Sequence, residues 1–326
     1  MHLILTQHDD PHADMVIDSL VRKGSEYVRF ETADFPQKIR AMLRYEMDTE
    51  DILSVSMNRQ RVDLSRVRTV WYRRPELPVP QSHLSAVEQE FVRRESQQFL
   101  GALWRLLRDR FWVNAYASYQ TARLKPYQLQ VARKIGFEVP HTLITNDAAE
   151  ALRFFEQCQG RMIYKTFNAH ARTEQNGKAY GIYTSQVKKE DLAAKLGEIR
   201  LAPCMFQEYV PKKVEIRVTV IGRKVFAAEI RPEGITYSKY DWRRDRGSVS
   251  YRPFDLPGDL EVKVLEMLQQ MGLVFGCIDL ILTQDERFVF LEINPNGQWY
   301  WIEQRTGMPL LHNFTEMLIH GTVDYF

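Results

Sequence analysis

"FVFLEINPNGQWYW", residues Phe288 to Trp301, places a carboxylate, Glu292, and an amide, Asn294, two positions apart in a run otherwise built of residues that bury. Residues i and i+2 of a strand point to the same face, and proline with glycine, here Pro295 and Gly297, ends a strand. Upstream lies a second apolar run, "CIDLILT", 277–283, joined to the first by four polar residues, Gln284 to Arg287, so the two read as a hairpin. Symmetric pairing sets Thr283 opposite Phe288 and Asp279 opposite Glu292. Asp279, Glu292 and Asn294 then share one face, while Ile278, Leu280, Leu282, Val289, Leu291 and Ile293 line the other. Like charges opposed across a sheet destabilise it, and burial makes the conflict worse. A positive group therefore belongs between them. Three oxygen donors without sulfur or imidazole suit a hard cation such as Mg²⁺. Ion pairs with an arginine of a neighbouring strand, such as Arg217, account for the same pattern, and spacing alone leaves both readings open.

Upstream residues carry groups suited to a nucleotide. Lys125 stands at the start of a helix, and Lys165 sits inside the apolar strand "MIYKTF"; both are candidates for phosphate. In "FQEYVPKKVEIRVTVIG", 206–222, the strand-like stretch Gln207, Glu208, Tyr209 and Val210 is cut by Pro211. Such a break frees backbone groups that a planar base can use. Glu215 and Arg217 fall on one side of the next strand, where a carboxylate can accept from ribose hydroxyls and a guanidinium can neutralise phosphate charge. An ion pair between those two is the plainer alternative.

The remainder bounds the architecture. "LILTQHDDPHADMVIDSLVRKGSEYVRFET", 3–32, reads as strand, helix and strand, a βαβ start. A strand over Val67 to Arg73 stops at Pro75, and a long helix is expected over Leu84 to Arg108 with Val87, Phe91, Phe99, Leu103 and Leu106 inward. The pattern changes near Asn114. A helix begins at Pro126 and ends at Gly136, and the chain is strand-rich from Arg161 onward. The class is α/β of the α+β kind. The chain has 326 residues, 44% of them hydrophobic, so a large core is available. A net charge of +2 asks for neither nucleic acid nor an anionic membrane as partner. Three cysteines without a CxxC pair argue against disulfides and zinc. No signal peptide or membrane span is legible, so a cytoplasmic protein is expected.

Taken in order, Lys125 with "PYQLQVARKIGFEVPHTLIT", Lys165, "QEYV", "EIRVTVIG", Asp279 and "EINPNGQW" resemble the ATP-grasp superfamily over most of residues 115 to 310. The resemblance implies an ATP-grasp fold behind a Rossmann-like pre-ATP-grasp domain: 1–114, then a central subdomain, 115–205, and a C-terminal one, 206–326. It implies that Lys125 and Lys165 hold phosphates and that Gln207, Glu208, Tyr209 and Val210 hold adenine. Glu215 would take the ribose, Asp279, Glu292 and Asn294 two Mg²⁺ ions, and Arg217 with Lys165 would serve the γ-phosphate. Such ligases form ADP through an acyl phosphate, which an amine, hydroxyl or thiol then attacks.

"VIDSLVRKGSEYVRFETADFP", "VWYRRPE" and "AAEIRPEGITYSKYDWRRD" narrow the likeness to the graspetide maturases, the microviridin type. This implies a precursor peptide as partner, with a leader and an acidic core containing Thr or Ser, and products that are ω-esters or ω-amides. An acidic core needs cationic walls, and Arg73, Arg74, Arg231, Arg243, Arg244 and Arg246 are expected there, with Trp242, Trp299 and Trp301 as apolar shelves. The polar stretch Asn168 to Lys178 suits a lid. A homodimer is expected, with the long helix as one possible contact face. A ligase adding an amino acid to a protein or small molecule, and a nucleotide-binding sensor without turnover, are the competing readings.

Overall fold

The computed structural model describes residues 1–47, 52–167, 172–175, 178–181, 184–232 and 249–325. The chain opens with β1 (His2–Thr6), α1 (Pro11–Arg22), β2 (Tyr27–Glu31), a meander of β3 (Arg40–Arg44), β4 (Ile52–Met57) and β5 (Gln60–Asp63), then β6 (Thr69–Tyr72), α2 (Ala86–Leu106) and β7 (Phe111–Val113). Strands β2, β1, β6 and β7 form a parallel sheet in that order, the expected Rossmann-like start. Asp10 caps α1 by accepting from the His12 N–H at 3.1 Å, and Pro11 opens the helix, where its missing donor costs nothing.

Helix α2 starts at a Ser85–Glu88 capping box, close to expectation, but its inward face differs. Ser96, Leu100, Leu103 and Trp104 are buried, whereas Val87 is 80% and Phe91 66% exposed, and Leu106 is exposed as well. At 3.6 residues per turn, Phe91 lies about 180° from Leu100. The two apolar stripes of this helix therefore face opposite ways, and only the C-terminal one meets the sheet.

The middle of the chain contains α3 (Tyr116–Ala122), α4 (Lys125–Ile135), β8 (Thr142–Thr145), α5 (Ala148–Gln157), β9 (Met162–Lys165), a hairpin of β10 (Arg172–Gln175) and β11 (Lys178–Gly181), β12 (Ser185–Gln186), α6 (Lys189–Ala194), α7 (Leu196–Ile199) and β13 (Cys204–Glu208). Gly136 ends α4 at φ 91°, a conformation open to glycine. Strands β12, β9, β13 and β8 make the central sheet. Because β13 pairs with β8 and β9, the boundary expected after residue 205 falls inside a strand.

The C-terminal part comprises β14 (Val214–Ile221), β15 (Lys224–Pro232), β16 (Val249–Pro253), α8 (Gly258–Gln270), β17 (Phe275–Leu282), β18 (Phe288–Asn294), α9 (Tyr300–Thr306) and α10 (Leu310–His320). Its antiparallel sheet runs β16-β15-β14-β17-β18. Val214, Ile216, Val218 and Val220 of β14 turn to a core shared with α4 and α8, which leaves Glu215, Arg217 and Thr219 on the opposite face. A second core joins Ile4, Val16, Leu20 and Trp71 of the N-terminal domain to Phe275, Trp299 and Met317 near the C-terminus. Phe314 lies at its centre, with ring centroids 4.8 Å from Trp71, 5.3 Å from Phe275 and 5.4 Å from Trp299. Phe314→Ala should therefore destabilise the protein by about 3–5 kcal/mol, read from the midpoint of urea unfolding; a loss below about 1 kcal/mol would mean the joint closes without it.

The hairpin pairs Asp279 with Glu292 as expected, but not symmetrically throughout. Leu282 faces Phe288 and Leu280 faces Phe290, and the register shifts by one between Asp279 and Leu280. The bulge leaves Leu291 half-buried and sends Phe290, in place of Leu291, into the core beside Ile293. No described helix is long and apolar enough to cross a membrane.

Candidate active site

Strand register sets Arg217 beside Asp279, and Asp279 beside Glu292, in one row across β14, β17 and β18. The next row holds Thr219, Cys277 and Asn294. Arg217 Nη1 donates to Asp279 Oδ1 at 2.7 Å, and Lys125 Nζ lies 3.1 Å from Glu292 Oε2. The Asn294 amide lies between the carboxylates, its Nδ2 at 3.3 Å from both Asp279 Oδ2 and Glu292 Oε1. Repulsion between the acids is thus already relieved by two cations and an amide, and a metal is not needed for that purpose. The pairing of Asp279 with Arg217, the alternative to a metal that spacing leaves open, is thus present.

The donor set nevertheless fits a hard cation. One amide nitrogen touches an oxygen of each carboxylate, which marks a point where a small positive group reaches both. An amide's two ends are nearly isosteric, so turning Asn294 offers its oxygen as a third donor beside the two carboxylates. The three donors themselves are oxygen groups, as Mg²⁺ favours, and the neighbouring Cys277 Sγ is buried against Thr219 Oγ1 at 3.8 Å. Burial acts to lower the Arg217 pKa, but Asp279 beside it holds it above its ordinary value, so the guanidinium stays charged.

Lys125 bridges the two sheets. Its ammonium also donates to Thr166 O, just past β9, at 2.9 Å, so one cation ties the central sheet to the carboxylate row. One helical turn on, Gln128 Nε2 donates to Ile293 O at 2.8 Å, and its Oε1 accepts from Ile293 N at 3.1 Å. Gln128 so completes the free edge of β18 between Glu292 and Asn294, a role the sequence reading missed. The available signal was the i, i+3 spacing of Lys125 and Gln128 on one helix face. Asn114 was likewise noted only as a boundary. It is fully buried, donates to Phe275 O and Pro295 O, each at 2.8 Å, and accepts from the N–H groups of Val274 and Phe275.

The nucleotide candidates divide. Lys165 is half-buried at the end of β9, opposite Met205. Gln207 is fully buried; its Nε2 donates to Thr142 Oγ1 at 2.9 Å, while its Oε1 is buried with no partner. The N–H of Glu208 goes to His141 O and that of Tyr209 to Arg161 O, so both already have partners within the fold. The N–H of Val210 makes no backbone bond among the described residues. Glu215 pairs with Lys212, not with Arg217.

Several expected substrate groups are elsewhere. Arg73 is 1% exposed, joined to Asp10 at 3.0 Å and to Asn296 O at 2.8 Å, and cannot serve as a peptide wall. Trp299 is fully buried against Phe314 and His12, so it is no shelf. Arg231 is exposed and engages Glu229, and Arg74 is half-buried next to Arg73. Trp301 packs edge-on against Tyr251. Trp242, Arg243, Arg244 and Arg246 lie outside the described residues, as do 168–171 and 176–177 of the expected lid; its described residues 172–175 form β10, which pairs with β11.

The chain is similar to known proteins over nearly its whole length. Residues 1–120 match the MvdD pre-ATP grasp domain, and residues 122–318 match the RimK-like ATP-grasp domain. The fold superposes on macrocyclase MdnC of Microcystis aeruginosa MRC, solved with precursor peptide MdnA, with a TM-score of 0.85 at 29% identity, over 99% of this chain and 100% of the other. Macrocyclase MdnB of the same organism gives 0.82 at 31% identity over 98% of each chain. A Chryseobacterium gregarium RiPP-associated ATP-grasp ligase, solved with ADP and a leader and core peptide, gives 0.88 at 27%, over 98% of this chain and 96% of the other. No match is found among curated proteins.

Proposed function

The chain belongs to the ATP-grasp maturases of ribosomally made peptides, with a RimK-like core, and from that premise we propose that its site activates Glu or Asp side chains of a precursor peptide and closes them on hydroxyls or amines. It is an ATP-dependent peptide ligase that forms macrocycles. A carboxylate oxygen of the peptide attacks the γ-phosphorus of ATP, and ADP leaves. A Thr or Ser hydroxyl, or a Lys amine, then attacks the acyl carbon, loses its proton, and expels phosphate. Each bond removes one water from the peptide.

The observation that carries the reading is the placement of Lys125 and Arg217 at the two ends of the row Asp279–Glu292, with Asn294 between the carboxylates. Bound Mg²⁺, here assigned as two ions to Asp279, Glu292 and Asn294, supplies charge neutralisation for the transferring phosphoryl group. Lys125 and Lys165 bind phosphate, and the Val210 N–H meets the adenine edge beside Gln207, Glu208 and Tyr209. Glu215 exchanges Lys212 for the ribose. Arg217, fixed by Asp279 and Gln298 O, presents a preset positive charge instead of a mobile one.

The near-neutral net charge supports a peptide over a nucleic acid as partner. A cytoplasmic homodimer completes the reading, and the exposed Val87 and Phe91 of α2 support a contact between copies. Incubation with ATP, Mg²⁺ and a precursor carrying Thr/Ser and Glu/Asp should lower the peptide mass by one water per ADP formed. A peptide that gains an amino acid instead, or ADP release with unchanged peptide, contradicts the assignment.

A further inference from the structure

The segment that follows Asn294 is held almost entirely by side chains from elsewhere in the chain. Asn114 donates to Pro295 O. Arg73 Nη1 donates to Asn296 O at 2.8 Å and reaches Gly297 O at 3.5 Å, and Arg217 Nη2 donates to Gln298 O at 3.0 Å. His12 Nε2 accepts from the N–H groups of Trp299 and Tyr300 at 3.1 and 3.2 Å. Gly297 lies so tightly here that a Cβ would overlap Cys277 and come within 2.9 Å of Arg217 Nη2.

Arg73 and His12 both belong to the N-terminal domain. They follow β6 and β1, neighbouring parallel strands with β2 and β7 on their outer sides. That is the crevice at which open α/β sheets hold their ligands, and here the occupant is the chain's own loop. Support continues behind it: Arg73 pairs with the buried Asp10, whose Oδ2 also accepts from Thr6 Oγ1 at 2.9 Å. Burial, aided by Arg73, pushes the His12 pKa down to about 3, so the ring is neutral and its Nε2 lone pair is available to both N–H groups.

We propose that Arg73 and His12 are positioning residues for the metal and nucleotide site: by gripping Pro295–Tyr300 the N-terminal domain sets the place of Asn294 and of the Arg217 guanidinium. The inference builds on the assignment of Asn294 to the metal set. It makes the pre-ATP-grasp domain a working part of the phosphate site, acting through two buried side chains.

The test measures ADP binding by calorimetry, with and without Mg²⁺, on the full chain and on Arg73→Lys, Arg73→Met, His12→Phe and His12→Gln, with thermal unfolding of each. Arg73→Met and His12→Phe should weaken ADP binding in Mg²⁺ about tenfold or more, the size of effect that outer-sphere supports have on metal sites, and leave Mg²⁺-free binding within about twofold. His12→Gln, which retains an acceptor, and Arg73→Lys, which retains the cation beside Asp10, should recover part of the loss. Folded variants that bind Mg²⁺ and ADP like the parent overturn the inference, and so does an equal loss with and without Mg²⁺, the mark of general damage. A parent protein whose ADP affinity ignores Mg²⁺ overturns the metal assignment itself, and this inference with it.

Discussion

Asp279→Asn is expected to lower ADP formation by roughly 10³-fold while the protein remains folded. The substitution is isosteric, and its amide oxygen still accepts from Arg217 Nη1, so the strand register across β14, β17 and β18 is kept, while the contact from Asn294 Nδ2 to Oδ2 is lost. What it loses is the negative charge through which a cation is held against the phosphates. Paired measurements of melting temperature and ADP release separate the two effects. Turnover within about tenfold of the parent would remove Asp279 from the metal set.

Arg217→Met should act on both stability and turnover. Arg217 and Asp279 are a largely buried pair, and deleting one member leaves the other's charge uncompensated, a loss of about 3 kcal/mol. Gln298 O loses its donor as well. Turnover should fall by roughly 10³-fold or more, the order seen when a guanidinium that offsets phosphoryl charge is removed. Arg217→Lys retains the charge but not the fork that reaches Asp279 and Gln298 O together, so it should fall between the two. Urea unfolding combined with ADP release, below the melting point of each variant, checks both parts; a Met variant that is destabilised yet fully active would reduce Arg217 to a structural strut.

Much of the site was readable because chemistry and alternation constrain each other in a strand. Asp279, Glu292 and Asn294 fall on one face from spacing alone, and the structure brings Lys125 and Arg217 to them. The hairpin's other half was not readable, since the bulge at Leu291 is a one-residue defect that the apolar run "FVFL" does not mark. Long-range packing was equally hidden. Arg73 stands in an exposed-looking "YRRPE" and is buried only because the chain returns more than 200 residues later to lay Asn296 and Gly297 across it. Val87 and Phe91 fit a helical stripe, but it lies on the side of α2 opposite Leu100, Leu103 and Trp104, and local periodicity carries no information about which of two apolar stripes a partner covers.

The central claim is that the set Asp279, Glu292 and Asn294, flanked by Lys125 and Arg217, receives the metal-bound phosphates of ATP. Crystals grown with Mn²⁺ and a non-hydrolysable ATP analogue test it most directly, because Mn²⁺ can be located by its anomalous scattering. The account predicts anomalous peaks between Asp279 and Glu292, with the Asn294 amide oxygen turned toward them and Lys125 on a phosphate. A nucleotide bound elsewhere, with Lys125 still on Glu292 and no peak in the row, would contradict it.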